Sequence, residues 1–409
     1  MTAPRPAREE EAILGVAPAA VVEPATVEEA AEIMKGCARD QRRVVFLGGG
    51  TDLGVGAPPS RLDLVLRTGK LCRVVEHSPS DQIVVAEAGL TLAALQGTLA
   101  AHGQRLALDP PLPEQATLGG IVAANAFGPR RTRYGTARDL IIGLSVVRAD
   151  GIAARGGGKV VKNVAGFDLP RLFVGSLGTL GLITSVTFRL HPLPEASATV
   201  AVEAITGAQA RALVVATREA QLEPTSVMLL AGAGRLRLAV RFEGFGPGVR
   251  QQAERFTALV RAAGLRGELL DGAGAAAFWA GHEAARSSGA VRVRLAAPPS
   301  ALEAVLAGAI SPLVGGLGQG WAVLDPWVGC GFAGGTPAEA AAAAALLTGA
   351  RRALGALGGS LTLAAAPLEV RAGFDAWGAP PAAVEVMRRL KARLDPEGRL
   401  APGRFVGGI

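Results

Sequence analysis

Residues 44–52 read V-V-F-L-G-G-G-T-D, a short apolar run set directly against three glycines. Four consecutive apolar residues that end at glycine are typical of a buried strand. Glycine has no Cβ and tolerates positive φ, so such a loop can turn successive N–H groups toward an anion such as a phosphate. The same pattern also suits an ordinary turn. This stretch alone leaves both interpretations open.

Two familiar phosphate-binding patterns do not fit this loop. A Rossmann site needs a helix that opens at the glycines and an acidic residue about 20 positions later. Here Pro58 and Pro59 follow the glycines, so no such helix can form. The P-loop pattern G-x-x-x-x-G-K-[ST] is absent as well. A phosphate would therefore be held in another way.

Two further stretches combine glycine with element boundaries. Residues 113–125 read P-E-Q-A-T-L-G-G-I-V-A-A-N, which predicts a helix that starts near Thr117. A helix start with free N–H groups binds anions, whereas an ordinary capped helix needs no ligand, and both remain open here. Residues 159–184 bring Lys162 and a second glycine-rich run before Leu182 and Ile183. This apolar pair, beside glycines, offers a surface for a flat adenine.

The surrounding chain predicts short alternating elements. Thr26 and Glu29 form a capping box for a first helix that ends near Asp40. Asp150-Gly151 predicts a hairpin turn, and Asp168 predicts the N-cap of a short helix to Phe173. Further strands are predicted at 62–66, 83–87, 105–108 and 183–190, with a helix at 91–102.

At 409 residues with 49% hydrophobic content, the chain is long enough for two or three domains. Pro192 and Pro194 close the first set of elements. Beyond them the pattern changes to strand pairs and longer helices, which predicts an α+β cap domain. The predicted organisation is a first domain at 1–194, a cap at 195–394 and a closing segment at 395–409 that packs back on the first domain.

Composition excludes several classes of function. The net charge is +7, but only five basic residues are lysine and aromatic content is 4%, so neither a phosphate-tracking stripe nor a set of stacking rings is present. We expect no nucleic-acid partner. Three cysteines without C-x-x-C spacing and four distant histidines do not predict a metal site or an iron–sulfur cluster in this chain.

Targeting signals are not apparent in the sequence. Glu9, Glu10 and Glu11 lie where a signal peptide would have basic residues before an apolar run. Apolar runs such as 340–347 fall short of the ~20 residues that a membrane span requires. We expect a cytoplasmic protein with no transmembrane segment of its own, able to lie peripherally on the inner face of the cell membrane through a complex.

The order of the three glycine-rich elements carries a family resemblance. L-G-G-G-T-D, then A-T-L-G-G-I-V-A-A-N, then K-N-V-A-G-F-D-L and G-S-L-G-T-L-G-L-I-T resemble the FAD-binding domain of the vanillyl-alcohol oxidase and p-cresol methylhydroxylase (PCMH) type. More closely, the chain resembles the FAD-binding subunits of bacterial glycolate oxidase, also called glycolate dehydrogenase. The end of the chain, L-D-P-E-G-R-L-A-P-G-R, is similar to that family's D-P-x-G-x-x-N-P-G, with Ala401 in place of the asparagine.

The resemblance implies an α+β fold, with a PCMH-type FAD-binding domain of two α/β lobes followed by an α+β cap with an antiparallel sheet. FAD would lie between the lobes. Relatives with a covalent flavin have a histidine after the glycines, where this chain has Thr51, so the resemblance implies noncovalent FAD. The cofactor-binding residues that it implies are Gly48, Gly49, Gly50, Thr51, Asp52, Thr117, Leu118, Gly119 and Gly120 around the diphosphate, Ala124, Asn125 and Gly128 along the ribityl and flavin side, and Ile183 near the adenine.

The function that the resemblance implies is oxidation of glycolate to glyoxylate, with electrons passing from the flavin to an iron–sulfur partner. The implied partners are a second FAD subunit and an iron–sulfur subunit, and the substrate is a small 2-hydroxy acid. Which flavoprotein subunit removes the hydride stays open. Two alternatives are a self-sufficient FAD-dependent 2-hydroxy acid dehydrogenase and a flavin-binding but catalytically silent assembly subunit.

No catalytic residue is predicted. The H-x-G-D-G-N element of relatives that oxidise 2-hydroxy acids alone is absent, which favours the silent alternative over the self-sufficient one. His282 is the only histidine in the cap and is interpreted as a partly exposed helical residue. Lys162 is interpreted either as a cation near phosphate or flavin or as part of a salt bridge. The 130–133 arginine run is interpreted as a solvated loop, with contact to FAD or to a neighbouring subunit as the alternative.

Overall fold

In the computed structural model the first apolar run forms the strand Val44–Leu47, which pairs in parallel with Leu64–Arg67. The structure describes residues 3–160, 167–232 and 234–409. Leu64–Arg67 also pairs in parallel with Ala20–Val22, and Arg5–Pro6 is added antiparallel at the outer edge. The helix that connects Ala20–Val22 to Val44–Leu47 therefore crosses over the sheet, as a parallel connection requires.

That crossover helix is Val27–Arg39, and its cap follows the predicted pattern. Thr26 Oγ1 accepts a hydrogen bond from the N–H of Glu29 at 3.1 Å. The Glu29 carboxylate accepts from the N–H of Ala25 rather than from that of Thr26, at 2.8 Å. The helix buries Met34 against the sheet, where Leu64 and Leu66 form the core of this lobe.

A second, antiparallel sheet follows in the order Val74–Ser78, Ile83–Glu87, Leu182–Arg189, Ile141–Val147, Ala153–Gly157. The predicted hairpin at Asp150-Gly151 is confirmed, since Gly151 has a φ of +80° and Ile141–Val147 pairs with Ala153–Gly157. Asp168 caps the helix Leu169–Phe173 as predicted. The remaining helices of this part of the chain are Leu92–Ala100, Leu118–Ala124, Ala137–Leu140 and Val384–Leu394, with 3-10 turns at Glu9–Glu11 and Val406–Gly408.

The strand predicted at 105–108 is wrong in its extent. Only Gln104–Arg105 forms a strand, paired with His191–Pro192. Beyond it, the Gln96 side chain satisfies both backbone groups of Leu106, accepting from its N–H at 3.1 Å and donating to its carbonyl at 2.6 Å. A side-chain amide therefore replaces a neighbouring strand, which an apolar run in the sequence does not indicate.

The rest of the chain forms an eight-stranded antiparallel sheet. Residues such as Val240, Phe242 and Leu363 point from the sheet into a core that the helices share. The strands, in sheet order, are Gly267–Leu270, Ala196–Val202, Arg235–Gly244, Ser226–Gly232, Gly318–Asp325, Cys330–Thr336, Val291–Ala296 and Ser360–Ala365. The helices are Arg131–Tyr134, Gly207–Glu219, Gly246–Ala262, Gly272–Ser287, Leu302–Val305, Ser311–Gly316, Ala340–Ala356 and Leu368–Ala372, with a 3-10 turn at Pro299–Ala301 and a π-helical turn at Leu306–Ile310.

Packing divides the described residues into two compact units whose bounds differ from the predicted ones. The first unit takes the described residues of Met1–Gly128, Gly135–Pro192 and Ala379–Ile409, and the second takes Pro129–Tyr134 and Leu193–Gly378. The closing part of the first unit thus starts at 379, ahead of the predicted 395. The second unit also includes residues 129–134, which the sequence analysis assigned to the first domain.

A buried ion pair holds the closing helix Val384–Leu394 within the first unit. Lys391 Nζ donates to Asp395 Oδ2 at 2.6 Å, to the carbonyl of Thr179 at 2.8 Å and to the carbonyl of Leu400 at 2.8 Å. The same carboxylate oxygen accepts from the N–H of Leu400 at 2.7 Å. Burial lowers the pKa of the Lys391 ammonium, and the adjacent carboxylate opposes that change. This pair therefore ties the closing helix to Thr179 and Leu400 of the same unit.

One helical stretch in the described part of the chain, Pro299–Gly316, is long and apolar enough to span a bilayer by length and composition. A third of it is buried. Leu302, Ile310 and Leu313 lie in the core of the second unit, as in the core helix of many water-soluble domains. Length and composition are therefore weak support for a membrane span here.

Replacing Asp395 with asparagine should destabilise the first unit by about 3 kcal/mol, because a buried ammonium then loses its counter-charge. The control is Glu385→Gln, which removes an exposed partner of Arg388 on the same helix and should change the free energy of unfolding by less than about 0.5 kcal/mol. Urea unfolding by far-UV circular dichroism measures both. The four tryptophans all lie between 279 and 377, so their fluorescence reports the second unit separately. Equal changes in the free energy of unfolding for Asp395→Asn and Glu385→Gln would contradict the stabilising role of the Lys391–Asp395 pair.

Candidate cofactor site

The glycine loop after Val44–Leu47 lies in direct backbone contact with the turn before residue 118. A Cβ on Gly48 would lie 2.1 Å from Thr117 Oγ1, and a Cβ on Gly49 would lie 1.7 Å from the carbonyl oxygen of Gln115. Real Cβ atoms do not approach other heavy atoms so closely. The two glycines are therefore required for the two predicted loops to meet.

The second loop is a capped helix start and does not offer the free N–H groups of an anion site. Thr117 is the N-cap of Leu118–Ala124, and its Oγ1 accepts from the N–H of Gly120 at 3.3 Å. The N–H of Leu118 donates to the carbonyl of Leu90 at 2.9 Å, and that of Gly119 donates to Ala88 at 2.8 Å. Of the two interpretations open from the sequence, the structure supports the ordinary cap.

The first loop has the donors that the second lacks. Within the described part of the chain, the N–H groups of Gly48, Gly49, Gly50 and Thr51 donate no hydrogen bond. Backbone donors without partners are rare in folded proteins unless solvent or a ligand satisfies them. All four residues line one cavity, so their N–H groups are the strongest candidates for contact with an anion there.

This cavity lies wholly within the first unit and has a volume of about 780 Å³ including its open mouth. Its walls come from all three glycine-rich elements, with Leu177 and Gly178 from the third. Ten of the sequence-predicted residues line it: Gly48, Gly49, Gly50, Thr51, Asp52, Thr117, Gly119, Gly120, Ala124 and Ile183. One concave site thus collects residues that are more than 130 positions apart in the sequence.

Three predicted residues do not line the cavity. Leu118 is fully buried in the core beneath it. A Cβ on Gly128 would lie 1.8 Å from the carbonyl oxygen of Asp109, so this glycine serves a close backbone contact. Asn125 ends the short helix with a φ of +46°, and its buried Oδ1 accepts no hydrogen bond from the described residues. Lys162 lies outside the described residues.

Sequence reasoning missed several lining residues, of which Arg404 matters most. Arg404 belongs to the closing P-G-R motif, is 3% exposed and lines the cavity. Its Nη2 donates to the carbonyls of Leu53 at 2.8 Å and Val55 at 3.0 Å. The motif was visible in the sequence, but nothing in it indicated contact with the glycine loop. The other missed residues include Phe46, Leu47, Leu53, Thr68, Ala88, Ala123, Leu177, Gly178 and Gly181, whereas Leu182 lines the cavity beside Ile183 as expected.

Comparison with known proteins identifies this unit. Residues 18–157 match the family described as FAD binding domain. The D-lactate dehydrogenase of Archaeoglobus fulgidus is 40% identical over 174 residues, which are 42% of this chain and 38% of that protein. The glycolate oxidase subunit GlcE of Escherichia coli is 36% identical over 159 residues, 39% of this chain and 45% of that subunit. GlcD of Bacillus subtilis is 33% identical over 221 residues, 52% of this chain and 47% of that subunit.

Solved structures share the fold at low sequence identity. An alkyldihydroxyacetonephosphate synthase superposes with a TM-score of 0.73 at 17% identity, over 95% of this chain and 78% of that one. A p-cresol methylhydroxylase gives 0.73 at 16% identity, over 95% and 89%. The predicted α+β class, a PCMH-type FAD-binding fold followed by an antiparallel cap, is confirmed. The first unit carries an FAD-binding domain, and FAD is its cofactor.

The residues present suit FAD. The unpartnered N–H groups of the 48–51 loop match a diphosphate, and Ile183 and Leu182 give an apolar wall for a flat ring. The buried Oδ1 of Asn125 and Oγ of Ser176 have no hydrogen-bond partner among the described residues, but neither residue lines the cavity. Noncovalent attachment, inferred from Thr51, stays a prediction.

The second unit corrects two expectations about charged residues. His282 is not partly exposed but 2% exposed, on the helix Gly272–Ser287. Burial, with added repulsion from Arg286 and Arg241, lowers its pKa to about 3. The arginine run is not a loop, because Arg131–Tyr134 is helical and Arg130 pairs at 3.3 Å with the buried carboxylate of Glu243, whereas Arg133 is exposed and pairs with Glu223 at 2.8 Å.

Two other buried groups of the second unit titrate far from their usual values. Burial raises the pKa of the Asp325 carboxyl to about 6, although Thr132 Oγ1 donates to it at 2.7 Å and favours its ionised form. Burial also raises the pKa of the Cys330 thiol to about 12. Groups of histidine, cysteine and carboxylate that could hold a metal ion do not occur among residues 3–160, 167–232 and 234–409.

Replacing Gly120 with aspartate should reduce bound FAD at least about tenfold, because a carboxylate would face the diphosphate in a partly desolvated site. A Cβ at this position lies 3.1 Å from Thr117 Oγ1, a tight contact, so the matched control is Gly120→Asn, which has the same shape without charge. We expect the control to retain FAD affinity within about threefold. Flavin absorbance per protein and titration of the apoprotein measure both. Equal losses would assign the effect to sterics, and full occupancy of both variants would show that Gly120 does not face the diphosphate.

Protonation of His282 should destabilise the second unit as the pH falls, whereas protonation of Asp325, whose folded-state pKa is raised to about 6, acts in the opposite direction. The folded-state pKa of His282 is about 3 against an ordinary 6.5, so protonation favours the unfolded state from pH 6.5 downward. Between pH 7 and pH 5 this costs about 2 kcal/mol. Replacing His282 with phenylalanine should remove the His282 contribution and leave the opposing one of Asp325, which changes the wild-type slope, as measured by urea unfolding with tryptophan fluorescence. The control His102→Phe, in the first unit, should retain it, and an unchanged slope in His282→Phe would refute the assignment.

Proposed function

We propose that this chain is part of an FAD-dependent oxidoreductase that acts on the CH–OH group of a small 2-hydroxy acid. The FAD cavity of the first unit is the observation that carries the proposal. Support for the substrate class comes from the names of relatives, which include D-lactate dehydrogenases, glycolate oxidase subunits and a D-2-hydroxyglutarate dehydrogenase. The aligned segment spans less than half of each of these proteins.

More narrowly, we propose that the chain is the FAD-binding subunit of a glycolate dehydrogenase complex that converts glycolate to glyoxylate. GlcE and GlcD are both described as subunits, which fits a chain that works with others. Its partners would be a second FAD subunit and an iron–sulfur subunit that takes the electrons.

In this proposal the chain's own residues mainly bind and orient the cofactor. The 48–51 loop would hold the diphosphate, and the apolar wall at Leu182 and Ile183 would exclude water from the adenine side. When bound, FAD supplies a two-electron acceptor for the hydride of the substrate α-carbon.

His282, in the second unit, is a poor candidate for a general base. An imidazole with a pKa of about 3, such as that of His282, binds a proton too weakly to remove one from a hydroxyl group near neutral pH. His282 is also buried, which restricts access of substrate. This favours a division of labour in which a partner subunit completes the catalytic site.

The FAD-loaded chain alone should therefore oxidise glycolate at least about 10²-fold more slowly than the complex recovered with it from its source cells, since a positioned base contributes 10²- to 10⁴-fold. Reduction of an artificial dye measures the rate, with D-lactate and 2-hydroxyglutarate as parallel substrates.

Two controls make this comparison decisive. A complex formed with the Gly120→Asp chain should lose dye reduction to the extent that it loses flavin, whereas His282→Ala should leave the rate of the wild-type complex within about threefold. A lone chain as fast as the complex would overturn partner dependence. A flavin-loaded complex that no 2-hydroxy acid reduces would overturn the substrate class.

A further inference from the structure

The closing segment of the chain packs along the edge of the cofactor loop. Val44 and Leu400 form a parallel bridge, and the N–H of Ala401 donates to the carbonyl of Val44 at 2.8 Å. The carbonyl of Arg404 accepts from the N–H of Ala57 at 3.1 Å. Residues 400–404 therefore run from the start of the strand Val44–Leu47 to Ala57, which follows the glycine loop.

The Arg404 side chain is buried and fixed in this arrangement. Its Nη2 donates to the carbonyls of Leu53 and Val55, which belong to the part of the loop that follows the glycines. A guanidinium is planar and carries five N–H donors, so one edge can hold a loop while another edge faces a ligand. Contact with both carbonyls therefore fixes the position of the charge in the cavity wall.

Arg404 differs from the other residues that line the cavity in its charge. Among the described residues that line the cavity, Arg404 carries the one cationic side chain and Asp52 the one carboxylate. The diphosphate of FAD brings two negative charges, and backbone N–H groups supply only partial positive charge. In a partly desolvated site an uncompensated anion is costly, so a buried cation beside it contributes more than one in water.

We propose that Arg404 binds the diphosphate of FAD and, through Leu53 and Val55, holds the 50–55 loop in the conformation that receives it. This inference depends on the FAD site and not on the identity of the substrate, so it stands or falls separately from the proposed function. It assigns to the end of the chain a cofactor-binding role.

The test measures FAD affinity of the reconstituted apoprotein by quenching of flavin fluorescence, for the wild type, Arg404→Met and Arg404→Lys. Arg404→Met should weaken FAD binding about 10- to 100-fold, the usual range for a charged hydrogen bond to a ligand. Arg404→Lys should recover part of that loss, because lysine returns the charge without the planar donor set. The affinity of the wild type should fall with increasing salt more steeply than that of Arg404→Met.

The matched control is Arg399→Met in the same segment. Arg399 is equally buried and donates from Nη2 to the carbonyl of Ala149 at 3.0 Å, but it does not line the cavity. Its loss should lower the unfolding temperature while FAD affinity stays within about threefold. A purely structural role of Arg404 predicts instead that both methionine variants behave alike.

A second readout separates the diphosphate from the rest of the cofactor. ADP should raise the unfolding temperature of the wild-type apoprotein and fail to do so for Arg404→Met, whereas adenosine should affect the two proteins equally. If Arg404→Met keeps its FAD affinity and its response to ADP, the proposal is wrong. If Arg404→Met does not fold, Arg404→Lys provides the test. Unchanged FAD affinity, salt dependence and ADP response in that variant would refute the role assigned to the planar guanidinium donors of Arg404.

Discussion

The first unit depends on a backbone contact that tolerates no side chain. Gly48 meets Thr117 and Gly49 meets Gln115 at distances that leave no room for a Cβ. This contact brings the loop after the parallel strand Val44–Leu47 against the start of the helix Leu118–Ala124. Both loops line the cavity beside this contact.

The two loops differ in whether their backbone N–H groups already have hydrogen-bond acceptors. The helix start uses its N–H groups internally, on Leu90, Ala88 and Thr117, so it works as a rigid support. The glycine loop keeps its donors available, and Arg404 holds the residues that follow it through the carbonyls of Leu53 and Val55. A preorganised anion site is built in this way: one element is satisfied and stiff, and the adjacent one carries donors that a ligand must satisfy.

Local chemistry made much of the first unit predictable. Thr26, Asp168 and Asp150-Gly151 interact with residues close to them in the sequence. The two helix caps and the hairpin can therefore be predicted from short stretches of sequence. Glycine clusters likewise marked the cavity. In the second unit, the strand Ala196–Val202 reads A-S-A-T-V-A-V and the helix Gly272–Ser287 begins G-A-G-A-A-A, and such small residues gave too weak a periodic pattern to predict either element.

Long-range contacts limited the rest of the prediction. Arg404 acts on a loop about 350 positions earlier, and the burial of His282 depends on how one helix covers a sheet. Neither relation leaves a local mark in the sequence.

The interleaving of the two units sets an order of events during biosynthesis. Residues 193–378 leave the ribosome before the helix that carries Lys391 and before the strand-like segment at Leu400. The nascent first unit therefore lacks one edge of its sheet and one side of its glycine loop while the second unit is already complete. The glycine loop therefore obtains its contact with Arg404 only after all residues of the second unit have been synthesised.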